Sequence, residues 1–273
     1  ATLNGALLSL HPKATFALIQ RHFTRDFQNL IANSFAESSR PVNESGLYMA
    51  TSYKFNRQWA FAAYADYFQF NWLRFATDAP SNGRDYLMQL NYKPSRKSEF
   101  YVRYRSRIKE RNSNFIDESI SVPGANHQEN FRLNASFLVH PNVKLKSRVE
   151  MVHFRPDHGP KEKGYIIYQD IVFKKIGSPL SLSARMALFE TDSYNARLYA
   201  YENDVLYAFS IPAYFSKGVR YYAVAKYKIK RGVDLWLRYA RWYYTDRSTT
   251  GSALDEIAAP HKSEIKVQLR LRF

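Results

Sequence analysis

Apolar and polar side chains alternate with period two along most of this chain. The last segment shows it best: Ile265, Val267, Leu269, Leu271 and Phe273 share one face, and Lys266, Gln268, Arg270 and Arg272 the other. Phe100, Val102, Tyr104 and Ile108 likewise oppose Tyr101, Arg103, Arg105, Arg107 and Lys109. Val143, Leu145, Val149 and Met151 oppose Lys144, Lys146, Arg148 and Glu150, and Leu180, Leu182, Ala184, Met186 and Leu188 oppose Ser181, Ser183 and Arg185. Successive side chains of a strand point to opposite faces, so each segment reads as a strand with one apolar side and one wet side.

A half-buried soluble sheet alternates in the same way. Strand length and connection length separate the two cases. Many runs extend over ~10 to 14 residues, longer than the ~5 to 6 of a globular strand and close to one bilayer crossing. Tight turns rich in Pro, Asn and Gly fall at His11-Pro12-Lys13, Asn56-Arg57, Pro94-Ser95-Arg96-Lys97, Pro141-Asn142, Ile176-Gly177-Ser178-Pro179 and Arg231-Gly232. Between them lie long connections near 28–43, 72–83, 112–128, 156–163, 191–218 and 246–262. Short turns on one side and long loops on the other are the organisation of outer-membrane barrels. The expected fold is therefore an all-β, antiparallel, transmembrane barrel of the bacterial outer membrane, with about 13 to 14 strands in one domain over 1–273. Because complete barrels of this kind hold an even strand number and start from the periplasm, the parity of the count leads to the expectation of an N-terminally incomplete part of a larger barrel.

Composition adds to this picture. Aromatic residues make up 16% of the chain, with 21 Tyr and 19 Phe, a supply suited to girdles at the lipid headgroups. Lys+Arg 40 against Asp+Glu 24 gives a formal charge of +16, which points to an anionic surface, an acidic ligand or nucleic acid as partner. Cysteine is absent, so no disulfide, thiolate metal site or cysteine nucleophile exists. No run reaches the ~18 apolar residues of a spanning helix.

Several segments together carry a resemblance. They are Ser34-Phe35-Ala36-Glu37, Arg40-Pro41-Val42-Asn43-Glu44-Ser45-Gly46-Leu47-Tyr48, Trp72-Leu73-Arg74-Phe75 and Asp78-Ala79-Pro80-Ser81. Gln89-Leu90-Asn91-Tyr92-Lys93-Pro94-Ser95-Arg96-Lys97 and Tyr201-Glu202-Asn203-Asp204-Val205-Leu206-Tyr207 complete the set. The chain resembles the C-terminal β-barrel region of Bacteroidetes-type helix-hairpin-helix domain-containing outer-membrane proteins. The resemblance implies a barrel preceded by a helix-hairpin-helix module, a fold that often binds nucleic-acid backbone. That module lies outside these residues, so no DNA-binding residue is carried over.

Three groups of residues are candidate sites. Ile265, Val267, Leu269, Leu271 and Phe273 resemble the terminal strand read by the barrel-insertion machinery. Arg103, Arg105, Arg107, Lys144, Lys146, Arg148, Lys226, Lys228, Arg270 and Arg272 form a basic ladder that alternation places in the lumen, since a lipid-facing Arg costs ~2–4 kcal/mol at mid-bilayer. A basic lumen attracts anions; the competing reading is a packed lumen in which the cations pair with Asp66, Glu150, Asp170 and Asp234. Tyr201, Glu202, Asn203, Asp204 and Tyr207 give the 191–218 connection a mixed aromatic and acidic character. It is read as an extracellular hairpin, a segment folded into the lumen, or a partner-docking surface. Arg241 falls in phase with Leu235, Leu237 and Tyr239, either at the outer rim or through a register shift.

Catalysis is not expected. His153, Asp157, His158 and Glu162 cluster in sequence but read as a solvated loop, and no Gly-x-Ser-x-Gly, P-loop, dinucleotide fingerprint or HExxH occurs. No cofactor or metal is expected. The function expected is a non-enzymatic, structural or partner-docking component of an outer-membrane complex. The alternative is a transport barrel with a basic lumen for anionic solutes or nucleic acid. Expected partners are outer-membrane lipid, the insertion machinery and other proteins of such a complex. Nucleic acid remains a further class that charge alone does not establish.

Overall fold

A computed structural model describes residues 1–28, 34–113 and 123–272. Its strands are β1 (Thr2–His11), β2 (Ala14–Phe23), β3 (Glu44–Lys54), β4 (Trp59–Phe70), β5 (Ser81–Ser95), β6 (Ser98–Asn112), β7 (Pro123–His140) and β8 (Val143–Arg155). They continue as β9 (Glu162–Lys174), β10 (Leu180–Thr191), the short β11 (Leu198–Tyr199) and β12 (Ala213–Tyr214), β13 (Lys217–Lys230), β14 (Val233–Tyr244) and β15 (His261–Leu271). Thirteen of these form one sheet in which each long strand neighbours the next in sequence, and β11 pairs only with β12. The all-β antiparallel expectation holds, and so does the strand count.

Strand boundaries differ from the sequence reading where a ladder outruns its apolar pattern. Strand β6 continues to Asn112 and β7 begins at Pro123, so the connection expected at 112–128 is shorter than the alternation suggested. Polar cross-strand partners carry the extension: Tyr104 donates to Glu129 at 2.7 Å, and Ser106 meets His127 at 2.9 Å.

Contacts divide the chain into two compact units. The first comprises Ala1–Lys93, Tyr101–Phe131 and His153–Lys161; the second comprises Pro94–Phe100, Arg132–Val152 and Glu162–Phe273. In each unit the two faces of the sheet are inverted relative to a water-soluble sheet. Cross-strand register in the second unit puts Leu182, Ala225, Leu237 and Val267 in one row on one face. That face is bare: Ile265 is 68% and Val267 66% exposed. On the opposite face the buried side chains include Asp170, Arg185, Arg220, Asp234 and Arg238. The first unit repeats the arrangement, with Leu47, Tyr67 and Met88 exposed and Arg21, Glu44, Asp66 and Asp85 buried. Charge is sheltered and hydrocarbon is presented, which is the reverse of the ordinary preference for solvent.

Aromatic side chains mark both ends of the apolar face in the first unit. Near the short turns Trp59 stacks on Tyr92 with ring centroids 4.3 Å apart. Near the long connections Tyr86 donates a hydrogen bond to the Tyr67 hydroxyl at 3.0 Å. From Trp59 to Tyr67 strand β4 runs about 26 Å at about 3.3 Å per residue.

Candidate functional site

The charged face is the first candidate. In the first unit Arg21 on β2 donates to Glu44 at 2.6 Å and to both oxygens of Asp66 at 2.8 and 3.1 Å. Glu44 also accepts from the backbone N–H groups of Glu37 and Ser38, at 2.8 and 3.3 Å, which ties the connection after β2 to this face. The three ladder arginines of β6 are all engaged. Arg103 donates to Gln89 at 2.6 Å, Arg105 pairs with Asp85, and Arg107 pairs with Glu37. Lys109 adds a bond to Glu37 at 3.0 Å. Outside the strands, burial pulls the Arg74 guanidinium below its usual range while it donates to the Glu110 carbonyl at 2.7 Å.

The second unit is organised around the connection between β10 and β13. That segment lies folded on the charged face. Ala196, Leu198, Ala200 and Tyr214 pack with Val152, Ile166, Tyr168, Ala187, Phe189 and Tyr244 in a small apolar core. Gly164 on β9 lets it approach, since a Cβ there would stand 2.5 Å from the Ala196 carbonyl oxygen.

At the centre Glu202, fully buried, accepts from Arg220 at 2.9 and 2.8 Å, from Arg238 at 2.6 Å and from the Tyr214 hydroxyl at 2.7 Å. Burial first, and the Glu202 charge second, push the Tyr214 hydroxyl far above its usual range, so it remains a donor. Asp204 is held by Lys266 at 2.9 Å and lies 3.6 Å from Arg238. Glu202 and Asp204, read from sequence as docking groups, are thus consumed internally, because two arginines of the sheet need their charge. Asn203 is anchored through its backbone N–H to the Tyr222 hydroxyl at 3.1 Å. Tyr201 and Tyr207 stay exposed, and Tyr201 packs beside Phe209 at 5.7 Å.

The remaining ladder residues divide. Arg148 lies 3.9 Å from Glu150, whose main partner is Arg132 at 2.7 Å. Asp234 gathers Arg270, Arg272 at 3.5 Å and Lys226 at 3.8 Å. Lys144, Lys146 and Lys228 have no carboxylate within 4.0 Å among the described residues. Of the four acidic residues named as partners for the ladder, Glu150 and Asp234 do meet ladder cations. Asp66 and Asp170 are taken by Arg21 and Arg185, the latter at 2.5 Å.

Arg185 was placed on the wet face by its phase, whereas Arg21, Arg220 and Arg238 are the residues that sequence reasoning missed. A signal existed for two of these. Arg220 lies in phase with Lys226 and Lys228 on β13, and Arg238 lies in phase with Asp234 on β14.

On the bare face Ile265, Val267, Leu269 and Leu271 form an exposed row, while Phe273 lies outside the described residues. Arg241 is on this face, opposite Tyr221 and Ser263, in ladders that run without a register shift from Leu235 to Arg241. It lies at the same end as the trio Tyr165, Glu190 and Lys217, in which Tyr165 donates to Glu190 at 2.8 Å.

One pair near that end of the first unit has the composition of a nucleophile and its base. Ser106 Oγ is 2.9 Å from His127 Nε2. Arg155, however, donates to Nδ1 at 2.9 Å and also pairs with Glu129. A guanidinium cannot accept, so Nδ1 is the acceptor and Nε2 carries the proton. Nε2 therefore donates to Ser106 and cannot take its proton, which is the wrong tautomer for activating a serine. His158 lies 3.6 Å from Asp157 with both side chains about half exposed, and Glu162 accepts from Asn195 at 3.3 Å and from Ser193. His153, Asp157, His158 and Glu162 do not form a joint constellation through these contacts.

No family model matches the chain, and no curated protein matches it. Solved structures do. A deltaS2 mutant of the TodX monoaromatic hydrocarbon channel is 10% identical, with a TM-score of 0.38 over 98% of this chain and 80% of that one. The ferric yersiniabactin uptake receptor FyuA from Yersinia pestis is 11% identical, with a TM-score of 0.46 over 98% of this chain. The chain spans 48% of that receptor's length.

Proposed function

We propose that the chain is part of an integral β-barrel of the bacterial outer membrane and acts without catalysis, as a structural or partner-docking component of an outer-membrane complex. The observation that carries the membrane reading is the apolar face bounded by aromatic residues at both ends. Its extent between Trp59 and Tyr67, about 26 Å along the strand, gives about 20 Å of height at a tilt of about 40°, most of an apolar band about 25 Å tall. The charged face is then the lumen, the short turns are periplasmic and the long connections extracellular, the one between β10 and β13 folding from there along the lumen toward the 175–179 turn. The docking reading is supported by the connection between β10 and β13. Its ion pairs fix the backbone while Tyr201, Tyr207 and Phe209 stay exposed, and a rigidly mounted aromatic cluster is what an interface core uses.

Absence of native cysteine makes the membrane reading directly testable. Single cysteines at Leu237, Val267 and Leu269 should resist a membrane-impermeant maleimide in native membranes. A cysteine at Tyr207 should react. Equal reactivity at all four positions would sink the reading. The docking reading is tested by mild-detergent extraction, with co-purifying proteins identified by mass spectrometry. Loss of a partner in a Tyr207→Ala, Phe209→Ala variant is the expected result, and a barrel that always purifies alone removes it.

A second reading, transport of anionic solutes, is favoured by Lys144, Lys146 and Lys228, which have no carboxylate within 4.0 Å among the described residues. Planar-bilayer recordings decide it, because an intact barrel with no conductance or no anion preference is not such a channel.

A further inference from the structure

We infer that the charged face of the second unit carries a binding site for a multiply charged anion of the phosphate-ester class, under the tip of the folded connection. A cavity of about 600 Å³ lies there, roofed by Asn203 and Asp204 and abutting the 175–179 turn. Cross-strand register explains both the hollow and its charge. Lys174 on β9 faces Ser181 on β10, and Ser181 faces Lys226 on β13. One row higher, Val172 faces Ser183, which faces Val224. Directly opposed residues stand ~4.5–5.5 Å apart, so the two small serines leave a trough flanked by longer side chains.

Lys146, Lys175 and Lys228 complete the lining, giving five ammonium groups around one hollow. The one carboxylate among the described lining residues is Asp204, and Lys266 already holds it at 2.9 Å. Lys226 is 3.8 Å from Asp234 and 4.7 Å from the Trp236 ring centroid. Lys146, Lys174, Lys175 and Lys228 have no carboxylate within 4.0 Å among the described residues. Lys174, Lys175 and Lys228 are exposed and Lys146 and Lys226 half-buried; like charges gathered around one hollow repel, and an anion that bridges them relieves that repulsion. Lysines serve phosphate as point charges, and the Ser181 and Ser183 hydroxyls add neutral donors. Only the side of entry, periplasmic by way of the 175–179 turn, rests on the membrane reading. The binding itself does not require conduction.

The test is isothermal titration of the full chain in neutral detergent with inorganic pyrophosphate, at fixed moderate salt. One saturable site is expected. A Lys174→Gln, Lys226→Gln variant should weaken it roughly tenfold. Ser181→Leu, which keeps every lysine but fills the trough, should abolish it, and Ser183→Leu serves if that variant does not fold. Lys13→Gln, on a turn of the first unit, should bind as the parent does. Folding of each variant is read from heat-dependent gel migration. The site is overturned if Lys13→Gln weakens binding as much as the double variant, or if a folded Ser181→Leu protein binds undiminished. Either result would mean diffuse surface charge. Competition by phosphatidylglycerol vesicles identifies a lipid headgroup as the ligand, and its absence a soluble phosphate ester. Bilayer recordings run in parallel keep the two ideas apart. Saturable binding without conductance keeps the site and removes transport, whereas conductance without saturable binding removes the site.

Discussion

Arg21 on β2 reaches Asp66 on β4 by laying its guanidinium across the strand between them. The two hydrogen bonds measure 2.8 and 3.1 Å. Register puts Gly46 of β3 directly opposite Arg21, and a Cβ on Gly46 would stand 2.5 Å from the guanidinium carbon. The arginine occupies the side-chain space that this residue lacks, so glycine is required here for close approach.

Gly46→Val should therefore act as a charge-pair mutation although it removes no charge. The valine displaces Arg21 and leaves Glu44 and Asp66 sheltered without their cation. Breaking such a pair costs about 3–5 kcal/mol. Urea unfolding of the refolded protein should show that loss, and Arg21→Met should show a similar one. An unfolding midpoint within error of the parent for Gly46→Val would mean that the bridge contributes nothing.

Arg241 gives a second prediction, based on depth. It stands on the bare face four residues from Leu237 along β14, toward the long connections. An outward arginine costs ~0–1 kcal/mol near an interface and ~2–4 kcal/mol at the bilayer midplane. Arg241→Leu should consequently change stability in lipid by less than about 1 kcal/mol, whereas Leu237→Arg should cost about 2 kcal/mol or more. Equal effects, measured by urea titration in bilayers, would contradict a membrane band between these levels.

Ser106 and His127 lead to a prediction about chemistry. With Arg155 fixing the tautomer, Ser106→Ala and His127→Ala should leave any esterase activity of purified protein unchanged. Arg155→Leu frees Nδ1 and allows Nε2 to accept from Ser106. A hydrolysis rate in the parent that falls on Ser106→Ala would show that the geometry has been misread.

Much of the fold was legible because alternation is a local property. In β15 the residues Ile265, Val267, Leu269 and Leu271 announce both strand and face within a dozen positions. The acidic residues Asp66, Glu150, Asp170 and Asp234 were also recognisable as buried counter-charges from their phase. Their partners were legible for Glu150 and Asp234, which meet ladder cations, but not for Asp66 and Asp170, which Arg21 and Arg185 take. Arg238 lies thirty-six residues from Glu202, and Glu202 sits outside the long strands, where no periodicity assigns a face. The 192–216 segment reads as a loop by composition, and only the folded sheet shows that two arginines and a glycine at position 164 receive it. Arg241 was placed correctly in phase, but only the continuity of both ladders from Leu235 to Arg241 excludes a register shift there.

That segment supports the last prediction. Glu202 holds Arg220 and Arg238 and takes a third bond from Tyr214, all without exposure to solvent. Glu202→Leu leaves Arg220 without its carboxylate and Arg238 with only Glu264 at 3.1 Å and Asp204 at 3.6 Å, and should cost about 3 kcal/mol. The cost should be local, because the strands keep their ladders. Hydrogen exchange should thus quicken at amides 196–214 and stay unchanged in β9, β13 and β14. Gly164→Val tests the same docking from the apolar side, since its side chain meets the Ala196 carbonyl and leaves every ion pair intact. If the connection is one cooperative unit, both variants expose the same amides to the same degree. Exposure confined to 200–206 in the first and to 194–198 in the second would show instead that the polar centre and the apolar core hold the segment independently.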